Sequence, residues 1–473
     1  MSKRIITLDY LRGFSMIMIM VFHIILTAWD TANAVRSGSI DPFTLNPVLI
    51  VIMLIVLIFG YWRGFFLIIS AIANVYAISK GLHKGKSRGK ILLKQVLSGL
   101  VLIVWGTIVE LFFNEWGMIR KWADTGNLEV RITDIYNAEA LVNIGWAVIF
   151  AGLVLYILSA NDGIRKTKRN ALVFAILALL VLIITPLVHN LANTLYGGNF
   201  QDWSSLPPGE DSFSLGRLLI SWFVHAESPT LPALAYSFAG CSIGVFMASQ
   251  KPSRKILRNS AIAGLVIFVI GAIFTVMEVM NALNSGGDLL AVLDVHVHPY
   301  WFLLLMLGMQ ILALMLCFRF IEFNKKVDLK KATKITQGMR RWGILSLTIY
   351  SFAIVQNLIR LILNPLTDRN LLLSDGADFL WTVIIIVLDI LFWFGVLKLW
   401  EKVGYKGSLE WIMLKLAKRG KKYDEDDPLN VKGVLYDVQP VMYVKPIKEQ
   451  EISYNFPAGE SDIKESHADA KSR

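Results

Sequence analysis

The chain has 473 residues, of which 55% are hydrophobic and only 18% charged, with a mean hydropathy of +0.55. That balance excludes an ordinary soluble globular protein, and long apolar runs recur along the chain, so composition points to a polytopic membrane protein. The formal net charge of +11 does not mark a nucleic-acid binder, because Lys and Arg gather in short segments between apolar runs, the pattern of loops facing anionic lipid.

Hydrophobic length predicts an all-α transmembrane bundle of about ten spans, at 10–29, 62–79, 92–113, 138–159, 171–189, 231–249, 258–281, 299–321, 342–363 and 378–400. Residues 3–34 also have the outline of a secretory signal, with Lys3 and Arg4 in front and Ala32-Asn33-Ala34 behind. Asp9 and the length of the apolar run favour a retained span. Segment 47–59 reads as interfacial or re-entrant, because Gly60-Tyr61-Trp62-Arg63-Gly64 interrupts a run too long for one upright crossing.

The connections test this plan independently. Segments 80–94, 160–170, 250–258 and 322–341 are rich in Lys and Arg, whereas 30–46, 114–137, 190–230, 282–298 and 364–377 are not. Every second loop is basic, which places those loops and both termini in the cytoplasm of a multi-pass cell-membrane protein. Residues 1–402 form the membrane domain. Residues 403–420, containing SLEWIMLKLAKRG, read as an amphipathic helix on the cytoplasmic surface, and 421–473 as a mostly disordered cytoplasmic tail. Cys241 and Cys317 both fall in apolar runs, so no disulfide is expected. Neither an internal repeat nor a helix broken at mid-membrane is apparent.

Chemistry concentrates in the first span. LDYLRGFSMIMIMVFHIILTA carries Asp9, Arg12 and His23, and ionisable groups inside a span are costly enough to imply use. Arg12 and His23 are eleven residues apart, close to three helical turns, so one face holds a cation near one surface and an imidazole roughly 16 Å deeper. Ser15, Met16 and Ile19 lie between them as a narrow path. Of the other histidines, His189, His225, His296 and His298 fall toward the outer face with Glu110, Glu227, Glu278, Asp294 and Arg360. A neutral imidazole beside a carboxylate is a common general-base arrangement.

Each of these also has a plainer reading. His189 and His225 suit interfacial hydrogen bonding. Glu110, Glu278 and Arg360 suit ion pairs that hold helices together. Asp294-Val295-His296-Val297-His298 lacks the further ligands a metal needs, so no metal is expected.

Arg4-Ile5-Ile6-Thr7-Leu8-Asp9-Tyr10-Leu11-Arg12-Gly13 followed by His23 resembles the opening of the integral-membrane acyltransferase superfamily, which includes the acyltransferase-3, heparan-α-glucosaminide N-acetyltransferase and YeiB-like groups. Gly64-Phe65-Phe66-Leu67-Ile68-Ile69-Ser70, Leu141-Val142-Asn143-Ile144-Gly145 and Leu231-Pro232-Ala233 through Gly240 and Gly244 are similar to internal signatures of these proteins. Leu345-Ser346-Leu347-Thr348-Ile349-Tyr350 and Gly407-Ser408-Leu409-Glu410-Trp411 resemble the closing signatures of the YeiB-like branch, while Ala71 and Arg63 depart from the pattern.

The resemblance implies transfer of an acyl group, typically acetyl, from cytoplasmic acyl-CoA to an extracytoplasmic glycan or lipid-linked sugar hydroxyl or amine. Arg12 then holds the donor, His23 deprotonates the acceptor or carries the acyl group, and Asp9 orients Arg12. Glu110, His225, Glu227, Glu278, His296, His298 and Arg360 are the candidate substrate-binding residues. A small-molecule transporter and a non-catalytic membrane protein of the same fold are the alternative classes.

Overall fold

The computed structural model describes residues 2–29, 46–61, 64–113, 117–127, 135–136, 140–196, 215–224, 229–249, 255–285, 300–324, 329–372, 376–417, 429–436 and 438–440. Among these, nine helices are long and apolar enough to cross a membrane, and the architecture is a multi-pass α-helical bundle. Strand β1 (Ser2–Arg4) leads into α1 (Ile6–Ala28), followed by α2 (Pro47–Gly60), α3 (Gly64–His83), α4 (Arg88–Ile108) and α5 (Met118–Thr125). Then come α6 (Ala140–Leu158), α7 (Thr167–Tyr196), α8 (Leu215–Val224), α9 (Thr230–Met247), α10 (Lys255–Ser285) and α11 (Tyr300–Phe320). Helices α12 (Leu329–Ile344), α13 (Ser346–Ser351), α14 (Val355–Leu363), α15 (Phe379–Glu401), α16 (Leu409–Ala417), α17 (Val431–Leu435) and strand β2 (Val438–Pro440) complete the chain.

Helices α1, α3, α9 and α11 bury most of their surface, whereas α7, α10 and α15 expose theirs. The exposed surface is apolar: Leu172, Leu179, Ile183 and Leu187 on α7, and Leu265, Val269, Ile273 and Val276 on α10, point outward. Water would penalise such faces and lipid does not, so the outward apolar shell fits a bilayer as solvent. The interior uses close backbone approach. A Cβ at Gly13 of α1 would lie 1.8 Å from the Met339 carbonyl oxygen, and one at Gly343 of α12 would lie 2.1 Å from that of Asp9. Glycine at both positions lets α1 and α12 meet backbone to backbone.

Residues 47–59 do form a separate apolar helix. α2 has 14 residues, about 21 Å long, and rises beside α1. Phe59 meets Phe14 edge-on, and Tyr61 meets Phe22 a turn or two later. α3 then starts inside the bundle, with Gly64 against Tyr236 and Gln310.

The predicted span 342–363 is not one helix. It is divided among the end of α12, α13 and α14, with interruptions at Leu345 and at Phe352–Ile354. A second irregularity, a π-helical turn at Val109–Phe113, closes α4. The expectation of unbroken helices therefore fails on both sides of the Trp105–Ser351 contact, and neither Val109–Phe113 nor Phe352–Ile354 holds a Gly or Pro.

The tail also departs from expectation. Residues 429–436 lie in the stretch predicted to be disordered, yet Leu429, Val431, Val434 and Leu435 are buried in the same core as Leu8 and Leu11. β2 pairs in parallel with β1, Ser2 opposite Val438 and Arg4 opposite Pro440. The chain's first and last described residues thus sit at one end of the bundle.

Candidate functional site

Helix α1 is continuous from Ile6 to Ala28 and carries Asp9, Arg12 and His23, all half-buried. Between the last two, Met16 and Ile19 are fully packed. Ser15 is fully buried, and its hydroxyl donates to the Phe59 carbonyl oxygen at 2.7 Å and pins α1 to the end of α2.

The first turn of α1 is held from another helix. The Glu322 carboxylate, just beyond α11, accepts from the Thr7 amide at 3.0 Å and the Thr7 hydroxyl at 3.2 Å. A carboxylate satisfies the orphan donors and favourable dipole of a helix start. Glu322 is nonetheless buried away from water. Desolvation pushes its carboxyl up to about 7, the Thr7 hydrogen bonds oppose the shift, and the charge of Asp9 adds to it.

The far end of α1 is held by a second network. Arg360 of α14 donates to the Thr27 carbonyl oxygen at 3.3 Å and to the Thr27 hydroxyl oxygen. The Thr27 hydroxyl donates in turn to the His23 carbonyl oxygen at 2.7 Å. Asp389 of α15, 2% exposed, interacts electrostatically with Arg360, itself 1% exposed. One residue further, the Ala377 amide donates to the Ala28 carbonyl oxygen at 2.8 Å. The carbonyls that end α1 are thereby satisfied from outside the helix.

Glu110 is buried in the π-helical turn of α4. Nearby, the Trp105 indole donates to the Ser351 hydroxyl at 3.0 Å, and the rings of Phe113 and Phe352 lie 5.6 Å apart. Gln356 and Asn357, at the start of α14, are buried as well. The π turn and the interrupted segment thus face each other across a seam rich in buried polar groups. π-Bulges and unwound helices concentrate at functional sites of membrane proteins.

The two closing motifs meet in space. The Glu410 carboxylate accepts from the Leu347 amide at 2.7 Å, the Thr348 amide at 3.2 Å and the Thr348 hydroxyl at 2.5 Å. The Thr348 hydroxyl oxygen accepts from the Leu409 amide at 3.0 Å. Burial pushes the Glu410 carboxyl up and these hydrogen bonds oppose it. The internal motifs also pack together. The Thr230 hydroxyl donates to the Asn143 side-chain oxygen at 2.7 Å, and a Cβ at Gly240 would lie 2.4 Å from the Ile68 carbonyl oxygen.

Other candidates stand apart. Glu278 is exposed on the outer helix α10 and joins neither Glu110 nor Arg360. His189 is buried on α7, in a different helix from the α1 network. His225, Glu227, His296 and His298 lie outside the described residues, as does Arg63. No group of metal-ligating side chains occurs among the described residues.

Asp389 and Glu322 were not singled out by sequence. The signal for Asp389 was present, one acid in the apolar run of α15; Glu322 had none beyond its place in a charged loop. A cavity of about 20 Å³, one water in size, lies between α3, α6 and α9, lined by Ser70, Asn74, Ser237 and Cys241 among small apolar residues. Compared with known proteins, the chain matches no family model and no curated protein.

Proposed function

We propose that the protein is an integral-membrane acyltransferase that moves an acyl group, typically acetyl, from acyl-CoA on the cytoplasmic side to a hydroxyl or amine of an extracytoplasmic glycan or lipid-linked sugar. One observation carries the reading. A single unbroken helix presents Arg12 and His23 eleven residues apart on one face, roughly 16 Å from cation to imidazole along the axis. Support comes also from the resemblance of six motifs, five of which pack against another of the set.

In this reading the basic connections face the cytoplasm, and Arg12 takes a phosphate of the donor as a fixed fork of donors, which leaves the thioester free to reach toward His23. His23 accepts the proton of the acceptor hydroxyl or amine. The acceptor atom bonds to the thioester carbon, the carbon–sulfur bond breaks, and CoA leaves as the thiolate.

A second reading, a small-molecule transporter, draws on the interrupted segment at 345–354, because discontinuous helices line binding sites in transporters. Sealed inside-out membrane vesicles given labelled acetyl-CoA on the exposed cytoplasmic face separate the two. Acyltransfer requires release of CoA with label appearing on lipid or glycan in the lumen. The rate falls at least about 100-fold in His23→Ala, the lower end of what one general base contributes. Equal transfer by His23→Ala and Arg12→Ala removes those residues from the mechanism, and failure of acetyl-CoA either to turn over or to raise Tm removes the enzyme reading.

A further inference from the structure

We infer that Arg360 is a positioning residue for His23, acting through the Thr27 hydroxyl; the inference rests on the acyltransfer reading. Arg360 carries donors only, so the Thr27 oxygen that meets it must accept. A hydroxyl has one hydrogen, and with its oxygen accepting from Arg360 that hydrogen is turned to the His23 carbonyl oxygen one turn earlier, at 2.7 Å. The same guanidinium donates to the Thr27 carbonyl oxygen, one of the last carbonyls of α1, which have no intrahelical donor.

The result is a directional chain from α14 through Thr27 to the peptide of His23. It fixes the Thr27 rotamer and keeps the last turn of α1 from fraying. Asp389 of α15 interacts electrostatically with Arg360, so three helices meet at the His23 turn. Arg360 directs two of its nitrogens at Thr27. A lysine cannot reproduce the paired donation, because its ammonium is a point charge without the planar fork.

The test uses the full-length protein in membranes with Thr27→Val, Thr27→Ser and Arg360→Lys. Thr27→Val keeps the side-chain shape and removes the hydroxyl. Two readouts are taken: acetyl-CoA turnover, split into kcat and KM, and hydrogen exchange of residues 23–28. The expected result is about a 10-fold fall in kcat for Thr27→Val and Arg360→Lys, with KM for acetyl-CoA unchanged and faster exchange at 23–28. Thr27→Ser restores both. Wild-type kcat in Thr27→Val, with or without a change in Tm, overturns the inference and leaves the acyltransfer reading standing. Absence of acetyl-CoA turnover and binding in the wild type overturns the acyltransfer reading, and the catalytic half of the inference with it. Unchanged exchange in Thr27→Val separately removes the clamp.

Discussion

Glu322 sets two opposing demands on one carboxyl group. Capping α1 favours the anion, whereas burial favours the acid, and the net position near 7 shows that burial wins. The folded state therefore binds a proton that the unfolded chain releases near the ordinary value of 4.5. Bound protons exceed those of the unfolded state between these limits, so stability falls as pH rises through that window. Glu322→Gln keeps an acceptor for Thr7 and removes the titration. Thermal unfolding in detergent between pH 5 and 8 should show a declining Tm for the wild type and a flat one for the variant, which gains on the order of 1–3 kcal/mol at pH 8. A parallel decline in both would assign the pH dependence elsewhere. The same scale shows what sequence could reveal. Arg12 and His23 were legible because a charge in an apolar run is conspicuous. Thr27 was not, because nothing in a threonine near a helix end announces that an arginine 333 residues later will claim it.

Among the elements, α7 shows how an irregularity is repaired. Pro186 inside the helix has no amide hydrogen, so the Leu182 carbonyl loses its helical donor. The Tyr300 hydroxyl of α11 donates to that carbonyl instead, the kind of substitute partner a helix in lipid requires. Tyr300→Phe should cost about 1–3 kcal/mol. In a Pro186→Ala background, where the helix restores its own donor, that cost should fall by at least half. Unfolding of the four proteins of this cycle measures the coupling, and a strictly additive result would dissociate Tyr300 from the proline. Long regular elements were legible from hydrophobic length alone. The division of 342–363 was not, since SLTIYS and its flanks are apolar enough for a span and contain no Pro. What interrupts that stretch is tertiary, the Glu410 carboxylate bound at the start of α13.

For the molecule as a whole, the least legible feature is the docked segment at 429–440. Its short apolar core is surrounded by charged sequence, and composition averages it away. The Arg340 guanidinium is fully buried and donates to the Val434 and Leu435 carbonyl oxygens at 2.7 and 2.9 Å. The Tyr436 hydroxyl donates to Glu401, which also holds Arg341 at 2.5 Å. A chain ended after residue 440 keeps all of these contacts and serves as the reference. Ending it after 428 strands a buried guanidinium and uncovers the core beside Leu8 and Leu11, at a cost of roughly 3–5 kcal/mol. Equal Tm for the two truncations would show that the segment adds nothing to the fold.

The pairing of β1 with β2 also has a consequence in time. Arg4 is synthesised long before its strand partner Pro440. At synthesis rates of about 5–20 residues per second, the opening strand waits roughly 20 to 90 s for its neighbour. Throughout that interval the helix bearing Arg12 and His23 lacks the strand contact that precedes it in the finished fold.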